Sequence, residues 1–385
     1  MNPLPVVLAS LRRFPLVSLA TLLLVAVAVG LGTAVSLLEP SLRRGTTAAA
    51  ADKFDLLVGT PGSESQLVLS TVYLDGTSLP LLGGDIVESV AHDPGVAWFS
   101  SILLGDTWQK HPIVGVDQAF LEDAGRFIAP TDAFAGALVP LEPGREFHGT
   151  HGTAALSPTD VHETAYTVRG VLPPTGTPWD RAILVPASTV RAMHAYAGEE
   201  ARPSAAHSGD VSALVIKPRS VADAYRLRAA LRTDRSMALF PAEVLLRLYD
   251  MLGDVQSLLT GMARLAQGAV LAGVLMAVFA GLPRRRATLA VLRALGAPRC
   301  YGALALWLEM ALLLTLGGLL GLALGYGLTC GAARIFAQQT GVLAPVSLNA
   351  GALWTFVLSL GLGGMAALLP AVSCWRTPAA KVLRE

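Results

Sequence analysis

The stretch RRRATLAVLRALGAPRC, residues 284–300, decides how this sequence is read. It holds five arginines and no acidic residue. On its N-terminal side lies LAQGAVLAGVLMAVFAGLP (265–283), and on its C-terminal side an apolar run that begins near Tyr301. A short basic insert between two stretches of near-span length reads as a cytoplasmic loop between transmembrane helices, because Lys and Arg collect on the cytoplasmic side.

The composition agrees with a membrane protein. The 385 residues are 53% hydrophobic and 15% charged, with a mean hydropathy of +0.54; a soluble domain is roughly a quarter charged. The net charge of +1 hides a split. From Glu39 to Val255 there are 17 basic and 26 acidic residues, whereas the rest holds 12 basic and 2 acidic. Such asymmetry implies two compartments. Cys300, Cys330 and Cys374 all lie in the apolar half, so the acidic half carries no disulfide. All seven histidines lie in the acidic half.

Working outward, four spans are predicted. The first is 14–38, 25 residues without a charge. Arg12 and Arg13 before it admit a cleaved signal peptide as a rival, but the apolar core exceeds the usual h-region of about 7–15 residues. The second is 265–283, the third 301–333 and the fourth 351–373. Arginine placement then puts 1–13, 284–300 and the tail 374–385 in the cytoplasm, and 39–255 and 334–350 outside.

Gly317, Gly321 and Gly325 repeat every fourth residue in span three, a spacing that lets helix backbones approach. Glu309 is the one acid near that span. It reads either as a functional intramembrane acid or as a headgroup-level partner of Arg299.

The acidic region reads as mixed α/β, large enough for its own core and divisible into two lobes. FDLLVG, SQLVLSTVYL, HPIVGVD, AYTVRGVL, RAILVP and SALVIKP are β-rich runs bounded by turn residues. VADAYRLRAALRT (221–233) reads as a helix with Val221, Ala224, Tyr225, Leu227 and Leu231 on its apolar side. Leu248, Leu252, Val255, Leu259 and Met262 follow a heptad seam that runs into span two. That seam predicts a stalk helix over about 241–264, packed on residues 39–53 or on a second subunit.

Several chemistries are missing. None of the four lysines follows a glycine, so this sequence has no G-x-x-x-x-G-K-[ST] phosphate loop, and neither H-E-x-x-H nor G-x-S-x-G occurs. No catalytic residue and no nucleic-acid partner are expected. HGTHG (148–152) with His162 and Glu163 leaves one metal option: His148, His151, His162 and Glu163 as zinc ligands, against a plain polar loop.

RRRATLAVLRALGAPRCYGALALWLEMALLLTLGGLLGLALG (284–324) resembles the FtsX-like permease family of ABC transporters, the group of MacB- and LolC/LolE-type permeases. The shared pattern is an arginine-rich entry, a Leu/Ala helix, an L-G-A turn, a Glu in the next span and a Gly-rich continuation. LLPAVSCWRTPAAKVLRE (368–385) is similar to the family's C-terminal signature, and DKFDLLVG (52–59) and YTVRGVLPPTGTPWDRAILVP (166–186) to a MacB-type periplasmic core.

The resemblance implies an α-helical membrane protein with four transmembrane helices plus a mixed α/β extracytoplasmic domain on a helical stalk, in a bacterial inner membrane. It implies a permease subunit, not an enzyme, that works by mechanotransmission on a lipid-like, peptide or amphiphilic substrate. MacB itself carries its ATPase domain before span one, whereas only about 13 residues precede that span here, so the ATPase is expected on a separate subunit. ATP and Mg would sit there, with no cofactor on this chain. Further partners implied are a second permease copy, more often identical than different, and a periplasmic adaptor or substrate protein.

In the family the loop between spans two and three forms a coupling helix that docks on the ATPase. Arg285, Arg286, Leu289, Leu292, Arg293, Leu295 and Gly296 take that place here. Leu289, Leu292 and Leu295 share one side of a helix and Arg286 and Arg293 the other, with Gly296 and Pro298 as stop signals. A transducer that switches a cell-wall hydrolase is the alternative within the family, and a zinc-linked permease is a third reading.

Overall fold

The computed structural model describes residues 2–51, 53–151, 161–197, 209–294 and 296–369. The chain divides into two compact units. One contains Met1–Leu42, Gly253–Ala333 and Pro345–Glu385; the other contains Arg43–Leu252 and Arg334–Ala344.

In the first unit the described backbone is almost wholly helical. Helix α1 (Leu4–Arg13) ends at Phe14, which leaves helical geometry at φ −123° and ψ 59°. The cause is Pro15, whose ring disfavours helical backbone in the residue before it. Within the segment 1–13, predicted only as a terminus, Leu4–Arg13 thus form a helix with Arg12 and Arg13 in its last turn, where cations complement the helix dipole.

Helix α2 (Pro15–Ala51) continues past Pro40 for 37 residues. Helices α9 (Arg299–Thr340) and α10 (Ala350–Ala366) follow later in the chain. Among the described residues, Pro15–Ala49 and Cys300–Thr340 are long and apolar enough to cross a membrane, and Ala350–Ala366 is a shorter apolar helix. Residues 370–373 of the predicted fourth span and the tail 374–385 lie outside the described residues.

The second unit is a mixed α/β domain. Its strands are β1 (Leu56–Gly59), β2 (Val96–Trp108), β3 (His111–Val116), β4 (Asp132–Ala135), β5 (Glu146–His151), β6 (Val161–Val171), β7 (Ile183–Pro186), β8 (Ala213–Pro218) and β9 (Met237–Leu239). They form one sheet in the order β3-β7-β4-β6-β5-β2-β8-β1-β9. An additional β2–β3 pairing closes six of them into a ring, and β8, β1 and β9 extend from the first half of β2. The pairing is continuous, so the sheet is not split into two lobes.

Both faces of the sheet are buried, in separate clusters. Leu56, Val58, Leu214, Ile216, Ile183 and Val185 enter one; Leu57, Val215 and Leu184 enter the other. Burial on both faces explains why LLVG, ALVI and ILVP read as unbroken apolar runs rather than alternating ones.

Two expectations fail here. SQLVLSTVYL contains helix α3 (Glu64–Val72), not a strand. Its Ser63 Oγ accepts the Gln66 N–H at 3.3 Å, and Leu67, Val68, Thr71 and Val72 bury at helical spacing. An N-cap and one apolar face outweigh the weak β preference of Val and Thr. Helix α7 (Val221–Ala230) does form, but Val221 and Tyr225 are 75% and 61% exposed, and Leu227 and Leu231 alone of the expected apolar side are buried. The strand β2, the longest, was not among the predicted runs, because Ser100, Ser101 and Gly105 interrupt its apolar pattern. The remaining helices of the unit are α4 (Gly84–Ala91), α5 (Gln118–Leu121) and α6 (Ala187–Ala197).

Helix α8 (Pro241–Ala294) is 54 residues long. Its first turns belong to the α/β core, where Val244 and Leu245 are buried and Leu248 packs beside them. The predicted stalk, second span and basic segment are therefore stretches of one helix, and 284–294 is its C-terminal end rather than a separate loop helix.

Candidate functional site

Arg285, Arg286, Leu289, Leu292 and Arg293 lie on the last turns of α8, while Leu295 lies outside the described residues. Gly296 is exposed and adopts φ +95°, a left-handed backbone that favours glycine and ends the helix. Four residues, 295–298, separate α8 from α9. The Tyr301 N–H donates to Pro298 O at 2.9 Å, and the Tyr301 hydroxyl donates to Asn2 O at 3.1 Å. The start of the chain therefore touches the first turn of α9, directly after the basic segment.

The glycine row of α9 faces α2. A Cβ at Gly317 would lie 2.9 Å from Leu22 O, at Gly321 2.5 Å from Ala26 O, and at Gly325 2.5 Å from Gly30 O. The two backbones approach over three successive turns, closer than any larger residue permits. Helix α10 is tied to the same pair. The Trp307 Nε1–H donates to Gly364 O at 3.0 Å, and Asn349 Nδ2 donates to Ser36 O at 3.1 Å while its Oδ1 caps α10. Glu309 is buried at 4% exposure, with α9 residues Met310 and Leu314 in the helical core.

Of the stalk residues, Leu248 packs on the α/β core and Met262 is 65% exposed; Leu252, Val255 and Leu259 lie between them on α8. The packing that the heptad seam left open is partly met by the extension of α2. Thr46 Oγ1 and the Tyr249 hydroxyl are 2.5 Å apart, the Arg43 guanidinium stacks 5.7 Å from the Tyr249 ring, and the Tyr73 hydroxyl donates to Thr46 O at 2.7 Å. Burial, with Tyr249 alongside, pushes the Tyr73 phenol well above its usual range. Sequence reasoning did not single out Tyr249 or Thr46, because hydroxyl contacts leave no periodic trace.

The candidate zinc ligands lie on β5 and β6. The His162 Nε2 sits 3.1 Å from Asp106 Oδ1, and the His148 Nδ1 lies 3.0 Å from His162 O. Glu163 is exposed and adjacent to His162 on a strand, so the two side chains point to opposite faces. His151 is opposite Asp106 in the β2–β5 ladder. Among the described residues, no group of three or more His, Cys, Asp or Glu could hold a metal ion. The His162–Asp106 pair reads as a sheet-internal contact.

One further feature involves the 166–186 stretch. The segment after α9 is strapped to the loop between β6 and β7. Leu343 N–H donates to Gly176 O at 2.9 Å, and Arg181 Nη1 donates to Gln339 O. Gly176 (φ +72°) packs on Leu343, and Gly341 (φ +79°) sits against Thr177 and Pro178. The P-P-T-G-T-P-W-D turn residues lie within the stretch likened to a MacB-type periplasmic core, but the strap to Leu343 has no local signal.

Residues 265–381 match the family described as FtsX-like permease C-terminal. No curated protein matches the chain. The chain is also similar to a solved structure titled the extracellular domain of the noncanonic ABC-type transporter YknZ from Gram-positive bacteria, at 10% identity and a TM-score of 0.28, over 48% of this chain and 98% of that one. The matched residues carry the arginine-rich end of α8 and the glycine row of α9.

Proposed function

We propose that the chain is the permease subunit of an ABC transporter, driven by ATP hydrolysis on a separate ATPase chain. The observation that carries this reading is the continuity of α8. One helix holds Val244 and Leu245 in the core of the α/β unit and also bears the arginine-rich segment that the family match includes.

A cytoplasmic ATPase pair with ATP and Mg would grip the 284–296 segments of two permease copies. Leu289, Leu292 and Leu295 would enter a cleft on the motor, and Arg286 and Arg293 would meet acidic groups on its rim. Closure of the motor would displace the end of α8, and the helix, which runs on through Pro283, would carry that displacement along its length to the α/β unit. In this reading four spans cross a bacterial inner membrane and the α/β unit lies outside it. The work is mechanical, on a lipid-like, peptide or amphiphilic substrate, since four spans per subunit leave little room for a broad pore.

Replacing Leu292 and Leu295 together with Asp tests this. Co-purification with the ATPase and permease-stimulated ATP turnover should both fall to background. If both persist at the unsubstituted level, the coupling assignment is wrong.

A further inference from the structure

The helical unit contains a half-open cavity of about 400 Å³ between α2, α8 and α10. All of its wall residues belong to that one unit. Its size is that of a small-molecule site.

Hydrogen bonds and packing fix which end is which. Asn349 Nδ2 donates to Ser36 O at 3.1 Å, so α10 starts beside Ser36. Further along α10, a Cβ at Gly363 would lie 2.8 Å from Leu314 Cδ1, and Leu314 packs with Val25. On α8, Gln267 Nε2 donates to Ala28 O at 3.2 Å, and Val270 packs on the cluster of Val25 and Leu314. The cavity therefore runs from Ser36 to Val25, about 16 Å at the rise of an α-helix. That is the depth of one leaflet, half of a hydrocarbon core of about 30 Å.

Its two ends differ in chemistry. Thr260 and Arg264 of α8 lie toward the Ser36 end, and Gly351 lies in the first turn of α10, where the helix dipole favours an anion. Toward the other end the walls are Val270, Leu358 and Leu362, with Ser359 as the one hydroxyl at that depth. The apolar wall is open sideways: Trp354, Leu358 and Leu362, one turn apart on α10, are 62%, 54% and 53% exposed.

Arg264 is exposed and makes no hydrogen bond or ion pair among the described residues. A guanidinium at the edge of a bilayer core is costly without a counter-charge, and its paired N–H donors match a phosphate. An apolar slot one leaflet deep, open to the side and headed by an unpaired cation, has the form of one acyl chain beneath an anionic head.

We propose that this cavity binds an anionic phospholipid from the leaflet at the Ser36 end, with one acyl chain between α2, α8 and α10 and the phosphate on Arg264. The inference rests on the four-span permease reading and narrows its amphiphile to a phosphate-headed, acyl-chained class. It is tested without the ATPase, so its failure and a failure of coupling are separate results.

Trp354 lines the cavity and serves as the reporter. The full chain is placed in phosphatidylcholine nanodiscs, and phosphatidylglycerol or phosphatidylcholine with brominated acyl chains is titrated in, since bromine quenches a neighbouring indole. The Trp354 signal is the difference between each chain and the same chain carrying Trp354→Phe. The site predicts saturable quenching by phosphatidylglycerol, half-complete at a mole fraction at least about tenfold below that needed with phosphatidylcholine. Arg264→Gln, at an exposed position, should abolish that difference. Gly268→Phe puts a ring at the cavity wall where a Cβ meets nothing within 4 Å, and should remove the saturable quenching with Arg264 still in place. Circular dichroism checks that this variant keeps its helices, and Arg264→Gln carries the test if it does not. Quenching that never saturates, equal titrations by the two lipids, a phosphatidylglycerol preference retained in Arg264→Gln, or saturable quenching retained in a folded Gly268→Phe chain would each overturn the proposal.

Discussion

Asp132 shows how much one buried carboxylate can organise. It is fully buried in β4, and accepts the N–H groups of Ile128 at 2.7 Å and Ala129 at 2.8 Å and the Arg169 Nε–H at 2.7 Å. Burial alone would raise its pKa, but the Ala129 N–H, Arg169 and the Ile128 N–H together hold it below the usual carboxylate value. Asp132→Ala removes the acceptor of all three donors and should destabilise the protein by about 1–3 kcal/mol, read by thermal unfolding of the purified chain. His111 acts in the opposite chemical sense. Burial lowers its pKa, so the folded state favours the neutral ring. Its contribution is complete above an unfolded value of about 6.5 and declines as pH falls through the lower folded value. The Asp132 contribution is complete above about 3.9 and is lost only at still lower pH. Thermal stability measured against pH should therefore fall in two steps on acidification, and His111→Gln should remove the first.

Among the elements, α8 and the α2–α9 pair make the sharpest demands. A proline at position 258 would remove one hydrogen bond and clash with the turn before it, at a cost of about 3 kcal/mol to the helix. In the coupling reading, Leu258→Pro should leave ATPase co-purification intact and abolish transport-linked function, which separates the stalk from the docking end. Gly321→Val would drive a side chain into Ala26 O and Val29, and overpacking of that kind costs about 1–3 kcal/mol. Gly327 has open space around its missing Cβ, so Gly327→Ala should be neutral in the same unfolding measurement. Element types were legible in part. FDLLVG, HPIVGVD, AYTVRGVL, RAILVP and SALVIKP all contain strands, because apolar runs between turn residues carry a local signal. SQLVLSTVYL misled because its β-branched residues were weighed above its Ser63 cap. The helical stop at Gly296 was legible because only glycine readily takes a φ of +95°.

For the molecule as a whole, α2, α8 and α9 each contribute residues to both compact units. The boundary at Leu42–Arg43 falls inside α2, where the sequence expectation placed the end of a span at residue 38. Hydropathy marks where apolar residues stop, but helix propagation does not require apolarity, so α2 continues through Arg43 and Arg44. The sequence by itself determined the two-part character of the chain, through the charge split, the apolar runs and the arginine cluster at 284–299. It also pointed to the family, because the basic entry, L-G-A turn and glycine row are local patterns. The ring closure of the sheet, the His162–Asp106 pair that takes up a candidate metal ligand, and the cavity between α2, α8 and α10 were decided only in the tertiary structure. The residues concerned are far apart in sequence, as with Ser36, Arg264 and Trp354. Local propensity and periodicity act over a few turns or strands, whereas burial brings distant groups together, and no spacing rule in the chain records which ones will meet.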